Sequence, residues 1–435
     1  MGKSIVLDIV GLTPRLLAHA PRLRALGPPA PLTPPLPAVT CTSQATMLTG
    51  TAPRDHGIVA NGWYQRDLNE VLFWRQSNRL VTGRMPWEEA RARTAVLFWW
   101  FNMATSAEVT LTPRPAYFAD GRKGPDVYAT PPELGRDLQR EFGTFPLFRF
   151  WGPGAGGDST RWIADAAIAT LARHDPDLCL VYLPHLDYDL QRFGPDDPRI
   201  SEQVRFVDKE AGRILDAAAG RKALVVSEYG ITKVARAALP NRALREAGLL
   251  AVQENATGEL LDPFRSRAFA VCDHQLAHVY VRDPADRAAA REVLERLDGC
   301  DRLLDKRDAG LDHARSGELV ALAAPDCWFA YPYWLDDSKA PDFARTVDIH
   351  RKPGYDPCEL FLDPRVSKLS MAWTMARRKL GFRTTFRVVP LDPALVKGSH
   401  GRLPADPGDG PLLLGDGDAP RPMAAVRDAI LRSLA

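Results

Sequence analysis

Long apolar runs are missing from this 435-residue chain. No stretch approaches the ~20 residues that a helix needs to cross a bilayer, which excludes a helical membrane span. An excess of one charge is missing too. Fifty-six Lys and Arg against 54 Asp and Glu leave a net charge of +2. That excludes the basic field that a nucleic-acid polymer requires, and there is no acidic tail. Paired cysteine spacing is absent among the six cysteines Cys41, Cys179, Cys272, Cys300, Cys327 and Cys358. A disulfide framework is therefore not expected, and reduced thiols in a cytoplasm are. No internal repeat occurs, and the 37 prolines are scattered through turns.

No targeting signal is expected at the beginning of the chain. A strand-like run starts at Ser4 and ends in the carboxylate of Asp8, so no leader is expected. Gly2 lacks the Ser or Thr at residue 6 that myristoylation wants, because Val6 stands there. Gly2-Lys3-Ser4 is half a phosphate loop without its first glycine. The expected location is cytoplasmic.

What is present describes a soluble globular protein with a large core, 45% hydrophobic and 25% charged. Short apolar runs end repeatedly in polar residues: Ile5–Leu7 before Asp8, Ala95–Trp100 before Asn102, and Leu178–Leu183 before His185 and Asp187. Two more are Ala223–Val226 before Ser227-Glu228, and Ala268–Val271 before Cys272-Asp273-His274. These read as buried, mostly parallel strands. Helical patterns lie between them at Arg161–Arg173, Ile200–Ala219 and Ala285–Leu297. The alternation predicts an α/β fold with a doubly wound, mostly parallel sheet flanked by helices. The whole chain reads as one catalytic domain, with an inserted lid or subdomain at about 235–365, rich in aromatics at 327–334. Residues 403–420 read as a surface loop, and 422–435 as a final helix.

In such sheets, ligands bind beyond the carboxyl ends of the strands. One hydroxyl is set apart there. In Pro37-Ala-Val-Thr40-Cys-Thr-Ser43, the chain enters a short predicted helix over 41–49. The free N–H groups of that helix make an anion site facing Thr40. Thr40 is read either as an activated nucleophile or as a helix cap. Asp8, Asp187, Glu228, Asp273, His274 and His400 fall at the same sheet edge. Such carboxylates and imidazoles can hold two divalent metals about 4 Å apart, which clamp the attacking and leaving oxygens of a phosphoryl transfer. A ligated hydroxyl is acidified in the same site.

These segments, in this order, resemble the alkaline phosphatase superfamily, in its nucleotide pyrophosphatase/phosphodiesterase branch. The carrying motifs are Leu7-Asp8, Thr40 with Thr49-Gly50, His56-Gly57-Ile58, Asp187 with Gly194-Pro195, Ser227-Glu228-Tyr229-Gly230 and Gly398-Ser-His400-Gly401. The resemblance implies an alkaline-phosphatase-like fold and Thr40 as covalent nucleophile. It places Asp8 and Thr40 on one metal, and Asp187 and His400 on the other. Four positions depart from the family pattern. Gln191 stands for a histidine, Glu228-Tyr229 for Asp-His, and Ser43 for an Asn that helps hold a phosphoryl oxygen.

Three explanations of the departures stay open. His274 replaces a lost ligand, with His185, His278 and His350 also spare. Alternatively the site has moved from Zn²⁺ toward Mn²⁺ or Mg²⁺, or it is degenerate. The candidate metal positions are thus Asp8, Thr40, Asp187, Gln191, Glu228, His274 and His400. Ser43, Asn61 and Lys352 are the candidate substrate contacts, although the loop around His350, Arg351 and Lys352 reads equally as a solvated turn. The expected activity is hydrolysis of a nucleotide, or of another organic phosphate diester or diphosphate, through a phosphothreonine. The alternatives are a phosphomutase or phosphotransferase of the same superfamily and a non-catalytic organic-phosphate-binding protein. The expected partner is a small phosphate ester, not a nucleic-acid polymer, and the sequence leaves the oligomeric state open.

Overall fold

A computed structural model describes residues 2–119 and 122–435. Its central sheet is built from strands β1 (Ser4–Ile9), β2 (Ala30–Thr33), β3 (Thr94–Leu97), β4 (Val109–Pro113), β5 (Val127–Thr130), β6 (Leu178–Leu183) and β7 (Lys222–Val226). A second sheet holds β8 (Ala268–Asp273), β9 (Leu276–Val281), β10 (Cys300–Asp305) and β11 (Leu319–Ala323). The short strands β12 (Leu412–Leu414) and β13 (Arg421–Pro422) return to the first. The principal helices around the site and the core are α1 (Thr40–Thr49), α2 (Gly157–His174), α3 (His185–Phe193), α4 (Ile200–Ala217), α5 (Lys368–Lys379) and α6 (Val426–Leu434).

The central sheet has the order β13-β2-β12-β7-β1-β6-β3-β4-β5. Its middle, β7-β1-β6-β3-β4, is parallel. Antiparallel strands flank it, β12 beside β7 and β5 beside β4. Every residue of β1 and β6 is buried, as strands covered on both faces must be, and their mostly apolar composition, broken in β1 by Ser4 and Asp8, follows from that. In α4, buried Val204, Val207, Ala211 and Ile214 recur at helical spacing and form the face laid on the core.

The structure corrects two expectations from sequence. The run Ala268–Val271 is a strand, but it does not belong to the parallel sheet. It pairs antiparallel with β9 in a separate four-stranded sheet that has its own apolar core around Val271, Tyr280 and Trp334. A strand of buried apolar residues looks the same in either setting. The predicted loop 403–420 contains β12, whose three leucines are fully buried against β7. Three residues between Pro411 and Gly415 are too few to show a period.

The second sheet reaches the first through one tight turn. β8 ends at Asp273, β9 begins at Leu276, and His274 in the turn has a left-handed backbone (φ 61°). That conformation is costly for a residue with a Cβ, and it aims the His274 ring back toward the edge of the central sheet.

Candidate active site

Thr40 is the first residue of α1. The extended Val39 precedes it, and no side chain caps the helix. The hydroxyl is therefore not a cap. It lies 3.1 Å from the Tyr229 hydroxyl, which donates to Asp187 Oδ1 at 3.2 Å. A phenol has one proton to give, so Thr40 is the donor in its own contact with Tyr229. Asp187, in the first turn of α3, accepts a second hydrogen bond from Gln191 Nε2 at 2.6 Å, one turn further on. The Tyr355 hydroxyl in turn donates to Gln191 Oε1 at 3.1 Å. A continuous chain thus runs Thr40–Tyr229–Asp187–Gln191–Tyr355. Burial pushes the Asp187 carboxyl up to about 7, against the lowering effect of the Tyr229 and Gln191 hydrogen bonds.

The other half of the site is a carboxyl pair. Asp8 at the end of β1 and Glu228 just past β7 are hydrogen-bonded to each other, and both are fully buried. Burial raises Asp8 to about 7. It raises Glu228 well above the carboxylate range, with the Asp8 charge as the next cause. Gln44 Nε2 bridges them, 3.1 Å from Asp8 Oδ2 and 2.6 Å from Glu228 Oε1, while Gln44 Oε1 accepts from the Trp100 backbone N–H at 2.7 Å. Asp8 Oδ1 and Glu228 Oε2 remain without a protein partner. Thr40 stands beside Glu228 as well, within hydrogen-bonding reach.

Four rings form a column behind these groups. Tyr229 stacks on His400 at 3.5 Å, His400 lies 3.6 Å from His274, and His274 stacks on Tyr355 at 3.8 Å. His400 Nδ1 is 2.8 Å from the Ala38 carbonyl oxygen, which can only accept. Nδ1 therefore carries the hydrogen and Nε2 is a bare acceptor, buried without a partner and 4.0 Å from Asp187 Oδ1. Burial lowers His400 to about 3 and His274 well below the usual imidazole range, so both rings are neutral.

The structure brings Thr40, Asp8, Glu228, Asp187, Gln191, His274 and His400 together, and it reassigns the other candidates. Ser43 donates to the Glu228 carbonyl at 3.1 Å, holding the loop rather than facing the cleft. Asn61 accepts from the Cys41 N–H at 2.9 Å and donates to Asp273 through both its side chain and its backbone, fastening α1 to the second sheet. Lys352 is not a substrate contact. It is 1% exposed and locked between Asp356 and Glu359, each at 2.7 Å. An apolar setting tolerates a lysine only when its charge is paired in this way. The neighbouring Arg351 is a cation that lines the cleft. The spare histidines are spent elsewhere: His185 on Gln203, His278 on the Val59 carbonyl and His350 on the Phe73 carbonyl.

Gln44 and Tyr355 escape a reading of the sequence. Gln44 has a usable signal, lying four residues after Thr40 and so on the same helix face. Tyr355, far from Tyr229 in the chain, has none.

Thr40, Asp187, Tyr229 and His274 form the floor of an open cleft of about 1720 Å³. Trp74, Trp100, Trp151 and Tyr355 form its walls. Arginines, among them Arg75, Arg114, Arg149 and Arg351, stand toward its rim.

The donor sets decide where a divalent cation fits. Among the described residues, no group of three or more His, Cys, Asp and Glu side chains is placed to hold one. At Asp187 both carboxyl oxygens already accept hydrogen bonds, and Gln191 turns its N–H, not its oxygen, toward them. The expected second metal position does not fit the residues present. At Asp8 and Glu228 one oxygen of each carboxyl is without a protein partner, and Thr40 stands beside Glu228. Two carboxylates and a hydroxyl, completed by water and substrate phosphate, suit a hard magnesium-type ion rather than zinc.

A mostly parallel sheet with the Thr40 helix at its carboxyl edge defines an alkaline-phosphatase-like α/β protein. Within that class, the sequence model of the type I phosphodiesterase / nucleotide pyrophosphatase family matches residues 4–356, and the chain belongs to this family. It is 23% identical over 273 residues to human ectonucleotide pyrophosphatase/phosphodiesterase family member 7, a match covering 58% of this chain and 54% of that protein. The chain thus spans about half the length of the curated relative it matches. Among solved structures, phosphonoacetate hydrolase from Sinorhizobium meliloti 1021 in complex with phosphonoacetate superposes with a TM-score of 0.63 at 14% identity, covering 100% of this chain and 96% of that one. Murine ectonucleotide pyrophosphatase/phosphodiesterase 5 superposes at 0.58 and 12% identity, covering 99% and 95%. At such identities the superpositions establish the fold.

Proposed function

We propose that this protein hydrolyses an organic phosphate ester, a nucleotide or another diester or diphosphate, with Thr40 as the nucleophile. The single observation that carries this is the ordered chain Thr40–Tyr229–Asp187 at 3.1 and 3.2 Å. A nucleophile needs a place for its proton, and a buried carboxylate that titrates near 7 accepts one at neutral pH. As the Thr40 oxygen bonds to phosphorus, its proton passes to the Tyr229 oxygen, and the Tyr229 proton passes to Asp187. The bond to the leaving oxygen breaks with its electron pair. Water then attacks the phosphothreonine. One of its hydrogens stays on the new P–OH, and the other passes through solvent to the departed oxygen. The P–O bond to Thr40 breaks with its electron pair, and the relay runs backward to return the proton to Thr40. Gln191 and Tyr355 hold Asp187 in place throughout.

Asp8, Glu228 and Thr40 would hold the one cation the site fits. Bound there, a magnesium-type ion supplies charge against the phosphoryl oxygens and acidifies a ligated hydroxyl. His274 borders the floor as a neutral ring, with the neutral His400 stacked behind Tyr229. The six free cysteines, five of them buried, support a reducing, cytoplasmic setting.

The hydrogen-bonded state of Asp187 also favours a second reading, that of a non-catalytic phosphate-binding protein. The two separate on one experiment. Purified protein is assayed on an aryl phosphodiester with Mg²⁺, Mn²⁺ or Zn²⁺, beside the Thr40→Ala variant. The hydrolase reading requires turnover that the variant loses by about a thousandfold or more. Turnover retained by the variant removes Thr40 as nucleophile. Binding of phosphate by the wild type without turnover establishes the second reading.

A further inference from the structure

One charged apolar surface lies outside the catalytic groups. Between Val366 and Leu391 the sequence holds six basic residues (Lys368, Arg377, Arg378, Lys379, Arg383 and Arg387) and no acidic one. Helix α5 occupies the first half of this segment. Along it, Leu369, Trp373, Ala376 and Leu380 recur at steps of four, three and four, the spacing of one helix face, and Leu380 N–H still bonds the Ala376 carbonyl. That face is turned to solvent: Leu369 is 81% exposed, Trp373 65% and Leu380 73%. Phe382 just beyond the helix is 57% exposed. The segment is held to the body from its other side, where Val366, Met371 and Phe386 pack on the buried cluster around Trp328 and Val389.

We propose that this face docks the protein on an anionic bilayer surface. Three observations select that occupant. An exposed Leu/Trp stripe on a basic helix is the composition of a helix lying in a membrane interface. Trp373 has the amphipathic ring that settles at headgroup level. A second copy of this chain would bring two acid-free basic segments face to face, and their mutual repulsion opposes that pairing. The rest of the neighbourhood agrees with the assignment. Arg383 reaches across to the Ala119 carbonyl, joining the end of this segment to the hairpin that carries exposed Tyr117 and Phe118. Met371, Met375 and Phe382 line the mouth of the cleft that holds Thr40. Docking through α5 therefore sets the cleft mouth against the headgroups.

The test is flotation of the full chain with vesicles of phosphatidylcholine alone and of phosphatidylcholine mixed with phosphatidylglycerol. Binding is expected to the mixed vesicles, to weaken as salt is raised, and to be at least about tenfold poorer with phosphatidylcholine alone. Leu369→Ser with Trp373→Ser lowers partitioning by about tenfold or more, the loss expected for two apolar side chains. Arg377→Gln with Arg383→Gln and Arg387→Gln, all three exposed, lowers it by about a hundredfold on the anionic vesicles. Thermal unfolding of each variant matched to the wild type shows that the loss is not a failure to fold. Thr40→Ala binds vesicles as the wild type does, so failure of docking and failure of the hydrolase reading are separable. Equal or absent binding to both vesicle types overturns the proposal, as does unchanged binding by both variants. A dimer in solution that the Leu369/Trp373 variant abolishes, without vesicle binding, overturns it in favour of a second copy.

Discussion

The Asp8–Glu228 half and the Asp187–His400 half of the site begin from the same resource, buried carboxyl groups at the carboxyl edge of one sheet. They end in different states. At Asp8 and Glu228 two carboxyls meet, one oxygen of each lacks a partner, and the pair is short of positive charge. At Asp187 the charge is met by hydrogen: Tyr229 and Gln191 each donate, and Tyr355 fixes Gln191. The difference comes from two side chains. Tyr and Gln carry donors at positions where the family resemblance puts imidazoles, whose lone pairs would serve a metal. On the proposed reading, one half keeps the means to hold a cation, and the other serves as the receiving end of a proton relay.

The largest expected effect breaks the cation half. Asp8→Asn removes half of the carboxyl pair, and it should lower kcat/KM by about a thousandfold, with loss of divalent-ion dependence in a titration of activity. Next comes the relay. Tyr229→Phe leaves the stacked column in place but deletes the hydroxyl that links Thr40 to Asp187. A loss of about a hundredfold in kcat/KM is expected, typical of general-base catalysis.

The pH profile sharpens the same point. Asp187 works as base only when ionised, and burial holds it near 7. Activity should therefore fall as pH drops below about 7, and Tyr229→Phe should lose that acid limb. A limb in the ordinary carboxylate range would place the base elsewhere. Gln191→His offers the Asp187 half a nitrogen donor again. Zinc binding measured by calorimetry should rise by at least about tenfold over the wild type, with no change in Mg²⁺ affinity. The smallest effect is on stability. Gln191→Ala withdraws one donor from a buried carboxyl, which should cost about 1–3 kcal/mol in denaturant unfolding.

The legibility of the sequence follows the same division. β1, β6 and β7 are readable because each carries a run of buried apolar residues that ends in polar ones. The turn at Asp273-His274 is readable as a site element, although its sheet is not, since β8 is just as apolar as its parallel counterparts. Thr40, Asp8, Asp187, Glu228 and His400 can be named from motif order. Their hydrogen-bond directions cannot. Whether Gln191 presents its oxygen or its N–H to Asp187 depends on Tyr355, from a distant part of the chain. Lys352 misleads for a related reason. Its charge is visible in sequence, and its burial between Asp356 and Glu359 is not. Residues whose role is set by neighbours three or four positions away, such as Gln44 on α1, are within reach.

The asymmetry of the two halves is tested most directly by metal content with position. Protein crystallised with Mn²⁺ and Zn²⁺ together, and measured by anomalous diffraction at both edges, should show one ion, bound between Asp8 and Glu228 beside Thr40, with Tyr229 and Gln191 still donating to Asp187. Two ions, or a single zinc held by Asp187, His400 and His274, would contradict that asymmetry.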